Sequence, residues 1–247
     1  MSDERFRGQT ILVCGGATGI GAAIVRLLAS QGATVWIQYR RREAEALELC
    51  RQLRSEGASA ETFCADLTVA AQVENLIQAA GEIDGLVHSV SPPLPNELFY
   101  QLDWSEYVEH WRTSVQSAYL LLKYSLDSQP CSLQSVVLLL STCTIGVPPK
   151  NWAPYISAKY ALLGLSKSMA VELADRCIRI NCVSPGFTST PLTAHIEPRF
   201  QEFIARAIPM RRLGTVDDAA LATAFLLSKE SGFITGINLA VSGGTVM

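Results

Sequence analysis

The chain has 247 residues, of which 49% are hydrophobic and 17% charged, with a formal net charge of −3. That length suits one α/β domain with a large core, and the apolar content excludes a disordered chain. The near-neutral balance gives no reason to expect nucleic acid or an anionic membrane as partner.

Residues 1–7 are charged and lead straight into an apolar run, so no signal peptide is expected. Short aliphatic runs then alternate with amphipathic segments. The run at 10–14 ends in Cys14-Gly15-Gly16-Ala17-Thr18-Gly19-Ile20-Gly21, and a helical segment follows at 20–30. The run at 34–38 leads into Arg40-Arg41-Arg42 and a helix at 43–55, with Gly57 as its stop. A run at 59–65 reaches Asp66-Leu67 before a helix at 69–80. The run at 85–88 is followed by Ser89-Val90-Ser91 and a proline-rich loop, and a long helix at 105–126 shows an aromatic face of Tyr107, Trp111 and Tyr119. The run at 135–140 ends at Ser141 and Thr142, and an irregular stretch at 146–149 precedes a second long helix at 152–174. Runs at 178–183 and 237–241 flank a helix at 216–227.

Uninterrupted aliphatic runs mark strands covered on both faces. Their alternation with helices predicts a single domain over 1–247: a doubly wound parallel sheet of about seven strands, of Rossmann type, with helices on both faces. No apolar stretch approaches the ~20 residues of a membrane span. The seven cysteines have no C-x-x-C spacing, and the three histidines, His88, His110 and His195, show no metal-site spacing. Free thiols in the cytoplasm and no metal are therefore expected.

Three constellations carry chemistry. Glycines after the first strand permit positive φ and close backbone approach, and the helix beginning near Gly19 directs its free N–H groups at the turn, which suits a pyrophosphate. At the end of the second strand, where an NAD site usually has a carboxylate, this chain has arginines. A guanidinium pairs well with a 2′-phosphate, so NADPH is the expected cofactor, with Arg40 and Arg41 as its readers. Tyr155 and Lys159 are one helical turn apart and share a face. Carbonyl reduction needs a proton donor beside the developing alkoxide, and a nearby ammonium is expected to lower the phenol's usual pKa of about 10.

These motifs resemble the short-chain dehydrogenase/reductase family, and the likeness covers essentially the whole chain. Cys14 stands where the family's T-G-x-x-x-G-x-G has threonine, and Tyr155-Ile156-Ser157-Ala158-Lys159 matches its Y-x-x-x-K. The resemblance implies cofactor contacts from Gly15, Thr18, Gly19, Ile20 and Gly21, from Asp66 and Leu67 at the adenine, and from Ser89. It implies that Lys159 holds the nicotinamide ribose, and that Pro185, Gly186 and Thr188, with Thr190 as a further candidate, meet the nicotinamide amide. The family serine that orients the carbonyl falls on Thr142, with Ser141 as the alternative. Residues at about 188–210 look like the family's substrate lid. The resemblance also implies homodimers or tetramers through the two long helices.

Two motifs depart from the family. His88-Ser89-Val90-Ser91 stands in place of N-N-A-G, and Ser114 falls where an asparagine anchors the water of the proton relay. The reading is an NADPH-dependent oxidoreductase that reduces a ketone or β-keto(acyl) group, small or acyl-carrier-bound, nearest to 3-oxoacyl-[acyl-carrier-protein] reductases. The alternatives are an impaired NADP(H)-binding scaffold and an enoyl-thioester reductase. In the second, a Y-x(6)-K spacing ending at Lys159 would put the tyrosine on Trp152.

Overall fold

The computed structural model describes residues 4–128, 130–190, 193 and 197–246. Seven strands form one parallel sheet: β1 (Thr10–Cys14), β2 (Thr34–Tyr39), β3 (Ala60–Cys64), β4 (Gly85–His88), β5 (Ser135–Leu139), β6 (Arg179–Pro185) and β7 (Asn238–Val241). Their order is β3-β2-β1-β4-β5-β6-β7. The strand period of two assigns the side chains to faces. Ile11 and Val13 join one core with α1 (Gly19–Ser30), α2 (Glu43–Ser55) and α8 (Val216–Leu227). Leu12 and Cys14 join the other with α3 (Ala70–Ala80), α5 (Ser117–Asp127) and α6 (Ala153–Glu172). The winding reverses between β1 and β4, which pair Cys14 with His88 at their carboxyl ends. A crevice at such a switch point is where open α/β sheets take ligands.

One expectation is corrected. The helix expected at 105–126 is interrupted: α4 (Trp104–Trp111) passes into α5 through one π-helical turn, Arg112–Gln116. A π turn re-aims the following face, and such turns favour functional sites. The stretch expected as a lid, 188–210, contains α7 (Pro198–Ala207). A proline in the first turn of a helix is favourable because its missing N–H has no helical partner there. The expected lid lies partly outside the described residues, at 191, 192 and 194–196, and His195 falls there.

Candidate active site

The turn from β1 to α1 is fastened from below. Gly15 N donates to Gln38 Oε1 at 3.0 Å, while Gln38 Nε2 donates to the Ala65 carbonyl at 2.7 Å. Gln38 is only 3% exposed, so one buried amide ties the turn to β2 and the end of β3. Ser89 N donates to the Cys14 carbonyl at 2.9 Å and brings β4 against the same turn. Gly15 has φ +73°, and a Cβ there would lie 2.4 Å from the Ser89 carbonyl oxygen. A Cβ on Gly21 would lie 2.1 Å from the Gly15 carbonyl oxygen. Thr18 precedes α1 in an extended conformation without a side-chain cap, and no acidic residue occupies the first turn. The leading N–H groups at Gly19, Ile20 and Gly21 are therefore free for an anion, and the turn fits a dinucleotide pyrophosphate.

At the adjacent strand ends, Arg40 Nη1 lies 3.3 Å from Asp66 Oδ2. Burial pushes the Asp66 carboxyl up, but hydrogen bonds from the Thr68 N–H and hydroxyl, together with Arg40, outweigh it and hold the group below its ordinary range. Leu67 is buried beside them. Arg41 is exposed and has no ion-pair or hydrogen-bond partner among the described residues. Of the two arginines expected to read a 2′-phosphate, Arg41 is free to do so, while Arg40 is engaged.

On the other side of the crevice, α6 starts just after Trp152 with Pro154 in its first turn, and Tyr155 and Lys159 follow on its buried face. Lys159 is 3% exposed; its Nζ donates to the Leu139 carbonyl at 2.7 Å and sits 5.6 Å from the Tyr155 ring centroid. The Ser141 hydroxyl lies near enough to the Tyr155 phenol to lower its pKa. Thr142, the expected partner, instead opens a short 3-10 helix, Thr142–Thr144, and its side chain makes no hydrogen bond among the described residues. The difference between the two residues follows from the backbone. Leu140 is buried, and Ser141 is still extended while accepting from Cys143 N, so the chain turns only after Ser141.

One expectation about the phenol is corrected. Burial pushes the Tyr155 pKa up, and the nearby Ser141 hydroxyl only partly offsets this. The expected lowering by Lys159 is not found in the protein alone. Burial also lowers Lys159 itself to about 8, which weakens the cation.

Beyond β6, Gly186 N donates to the Val241 carbonyl at 2.9 Å, and Thr188 Oγ1 donates to the Gly186 carbonyl at 3.1 Å. Thr193 Oγ1 donates to the Thr188 carbonyl at 2.8 Å, so Pro185, Gly186 and Thr188 form a braced turn at the carboxyl edge of the sheet.

Two rings meet Tyr155 that its motif did not announce. Trp152 lies edge-to-face at 5.8 Å between centroids, and His110, from α4, at 6.3 Å. His110 belongs to a buried polar stripe with Thr113, Ser114 and Ser117. The stripe's spacing of three and four residues was legible in the sequence. His88 Nε2 contacts Ser117 Oγ at 2.7 Å, and Ser117 Oγ donates to the Thr113 carbonyl at 2.5 Å. The serine has one proton, so His88 is the donor and its Nδ1 is left as an acceptor. Burial, with the Lys159 charge adding to it, lowers the His88 pKa to about 3, so this imidazole is neutral.

A family model described as Enoyl-(Acyl carrier protein) reductase matches residues 15–246. The chain is 32% identical to tropinone reductase-like 3 of Erythroxylum coca, over 99% of this chain and 96% of that protein. It is also 32% identical to the 3-oxoacyl-[acyl-carrier-protein] reductase FabG of Escherichia coli, over 98% and 99% of the two chains. Among solved structures, a 7α-hydroxysteroid dehydrogenase complexed with NADH and 7-oxo glycochenodeoxycholic acid superposes with a TM-score of 0.91 at 25% identity, covering 99% of this chain and 97% of that one.

Proposed function

The chain belongs to the short-chain dehydrogenase/reductase family, and on that premise we propose that it is an NADPH-dependent ketoreductase with Tyr155 as proton donor. The observation that carries the reading is the pairing of Tyr155 and Lys159 on the buried face of α6, with the Lys159 Nζ 5.6 Å from the Tyr155 ring centroid and the Ser141 hydroxyl near enough to lower the phenol pKa. Gly15, Thr18, Gly19, Ile20 and Gly21 would hold the pyrophosphate, and Ser89 lines the same turn. Asp66 and Leu67 would flank the adenine, and Arg41, joined by Arg40, would take the 2′-phosphate. Lys159 would bind the nicotinamide ribose, and the backbone at Pro185, Gly186 and Thr188 would meet the nicotinamide amide. When bound, the cofactor supplies the hydride.

The side chains supply the rest. Ser141 donates a hydrogen bond to the substrate carbonyl oxygen and fixes its direction. Tyr155 donates to the same oxygen and gives up its proton as the alkoxide forms. The raised phenol pKa keeps Tyr155 protonated at neutral pH, the form that reduction needs. The Trp152 and His110 rings against Tyr155 favour a substrate with an apolar body next to its carbonyl. A ketone or β-keto(acyl) group, free or carrier-bound, fits that wall. Against enoyl reduction, the place of that branch's tyrosine is taken by Trp152, which has no phenol to donate. Exposed Trp104, Trp111 and Tyr119 along α4 and α5 support self-association into a homodimer or tetramer, and seven free cysteines support the cytoplasm.

The test is loss of reduced-nicotinamide absorbance with NADPH and a panel of ketones, β-keto thioesters and enoyl thioesters. Carbonyl substrates are expected to be turned over, and Tyr155→Phe to lower the rate about 10²- to 10⁴-fold. Turnover of enoyl thioesters alone, or full activity in Tyr155→Phe, would overturn the assignment.

A further inference from the structure

The short 3-10 helix after Ser141 is tied across the sheet by a run of side-chain hydrogen bonds. Thr144 Oγ1 donates to the Ser141 carbonyl at 2.8 Å, Asn238 Nδ2 donates to Thr144 Oγ1 at 3.2 Å, and Ser184 Oγ donates to Asn238 Oδ1 at 2.6 Å. The run starts on β6, crosses to the first residue of β7 and ends on the residue whose hydroxyl lies near the Tyr155 phenol. Ser184 is fully buried and Thr144 is 7% exposed. Asn238 is in register with Cys182, which together with Ser184 points to one face of the sheet, and Cys182 packs there in the apolar core against α6. Polar side chains on such a face are costly unless they are hydrogen-bonded, and these three satisfy one another.

The direction of the run is fixed. A hydroxyl has one proton. Thr144 places its proton on the Ser141 carbonyl, so toward Asn238 it can only accept. The Asn238 amide must then turn its NH2 group to Thr144 and its oxygen to Ser184, whose hydroxyl donates. At the receiving end, the Ser141 carbonyl takes a second bond from Thr144 N at 3.0 Å. Ser141 Oγ accepts from Cys143 N at 3.3 Å, and an oxygen that accepts there keeps its own proton for another partner. Ser141 is thus held at its carbonyl and at its side chain, and its hydroxyl is left as a donor.

We propose that Thr144, Asn238 and Ser184 are positioning residues for the Ser141 hydroxyl, a one-way run of hydrogen bonds from β6 through β7 that holds Ser141 as a donor to the substrate carbonyl oxygen. The inference rests on the carbonyl-orienting role proposed above for Ser141. A donor aimed before the substrate arrives needs no reorganisation when charge develops on the oxygen. The run acts on the rate through Ser141 alone, since its last bond ends on that residue's backbone and none of its members is bonded to Tyr155 or Lys159 among the described residues.

The test is a double-mutant cycle with NADPH and a ketone that the unaltered protein reduces. Thr144→Val keeps the shape and removes the hydroxyl; it should lower kcat about 10-fold, with KM and the NADPH Kd within about twofold. Thr144→Ser, which keeps the hydroxyl, should recover most of that loss. In a Ser141→Ala background, Thr144→Val should cost less than about twofold more, because both changes act through one hydroxyl. Asn238→Leu removes the donor to Thr144 and should lower kcat about threefold, again only where Ser141 is present; it carries the same cycle should Thr144→Val fail to fold. Full activity in both Thr144→Val and Asn238→Leu, losses that multiply with that of Ser141→Ala, or no recovery in Thr144→Ser would overturn the inference. Failure of the underlying reading looks different: Ser141→Ala would then keep full activity by itself.

Discussion

Gly21→Ala isolates the architecture of the phosphate turn. The added Cβ would stand 2.1 Å from the Gly15 carbonyl oxygen, 2.9 Å from the Gly15 carbonyl carbon and 3.1 Å from Gly16 Cα. All three are backbone atoms, so no side chain can swing aside. Ordinary contact begins near 3.4 Å, so α1 and the turn must separate by about 1.3 Å at this point. Overpacking of this kind costs about 1–3 kcal/mol, against a gain of up to ~1 kcal/mol from alanine's helix propensity. The balance is a loss of up to about 2 kcal/mol, or a Tm lower by up to ~8 °C in a chain of this size. The effect on binding should be larger, because the same shift misplaces the N–H groups that face the pyrophosphate. Losing one charge-assisted hydrogen bond at about 1.5–3 kcal/mol weakens NADPH roughly 10- to 100-fold. The control is Gly164→Ala within α6, where a Cβ meets nothing within 4 Å; it should leave NADPH binding unchanged and raise stability by up to ~1 kcal/mol. Thermal unfolding and nicotinamide fluorescence titration read the two effects. An unchanged NADPH Kd in Gly21→Ala would refute the assignment of this turn as the pyrophosphate cradle.

Lys159 should leave a mark on the pH dependence of stability. Its pKa is depressed from 10.5 to about 8 in the folded chain, so the unfolded chain binds more protons between those values, and stability should rise with pH across that window by up to ~3 kcal/mol. Urea unfolding of Lys159→Met should lack that rise; the same slope in both proteins would show that Lys159 is not the source. Ser141→Ala should lower kcat about 10²-fold, as loss of a donor to the developing oxyanion does, while Thr142→Ala should stay within a few-fold; the reverse ranking in steady-state assays would return the role to Thr142. Arg41→Ala should weaken NADPH about 10-fold and leave NADH almost unchanged, and an equal loss for both cofactors in fluorescence titration would remove the 2′-phosphate from its role.

The fold was legible because its strands are buried on both faces. Ile11 and Val13 need one core, Leu12 and Cys14 need the other, and a run that satisfies both at once is aliphatic throughout. The phosphate turn was legible for a related reason: glycine there answers to backbone approaches of 2.1 and 2.4 Å, a constraint that other residues cannot meet. The proximity of Tyr155 and Lys159 was legible because one helical turn relates them, and a fixed spacing survives translation into geometry. Other quantities are not carried by spacing. Weighing Ser141 against Thr142 requires knowing where the chain leaves its extended conformation after Leu140, a difference of one residue. The direction of the Tyr155 shift required knowing that burial outweighs its neighbours, since Lys159 directs its ammonium at the Leu139 carbonyl. His110 lies 45 residues from Tyr155 and is brought to it by α4 packing on α6. The sequence did hold a trace of it, since four polar residues at helical spacing within an otherwise apolar buried face are costly unless something polar meets them.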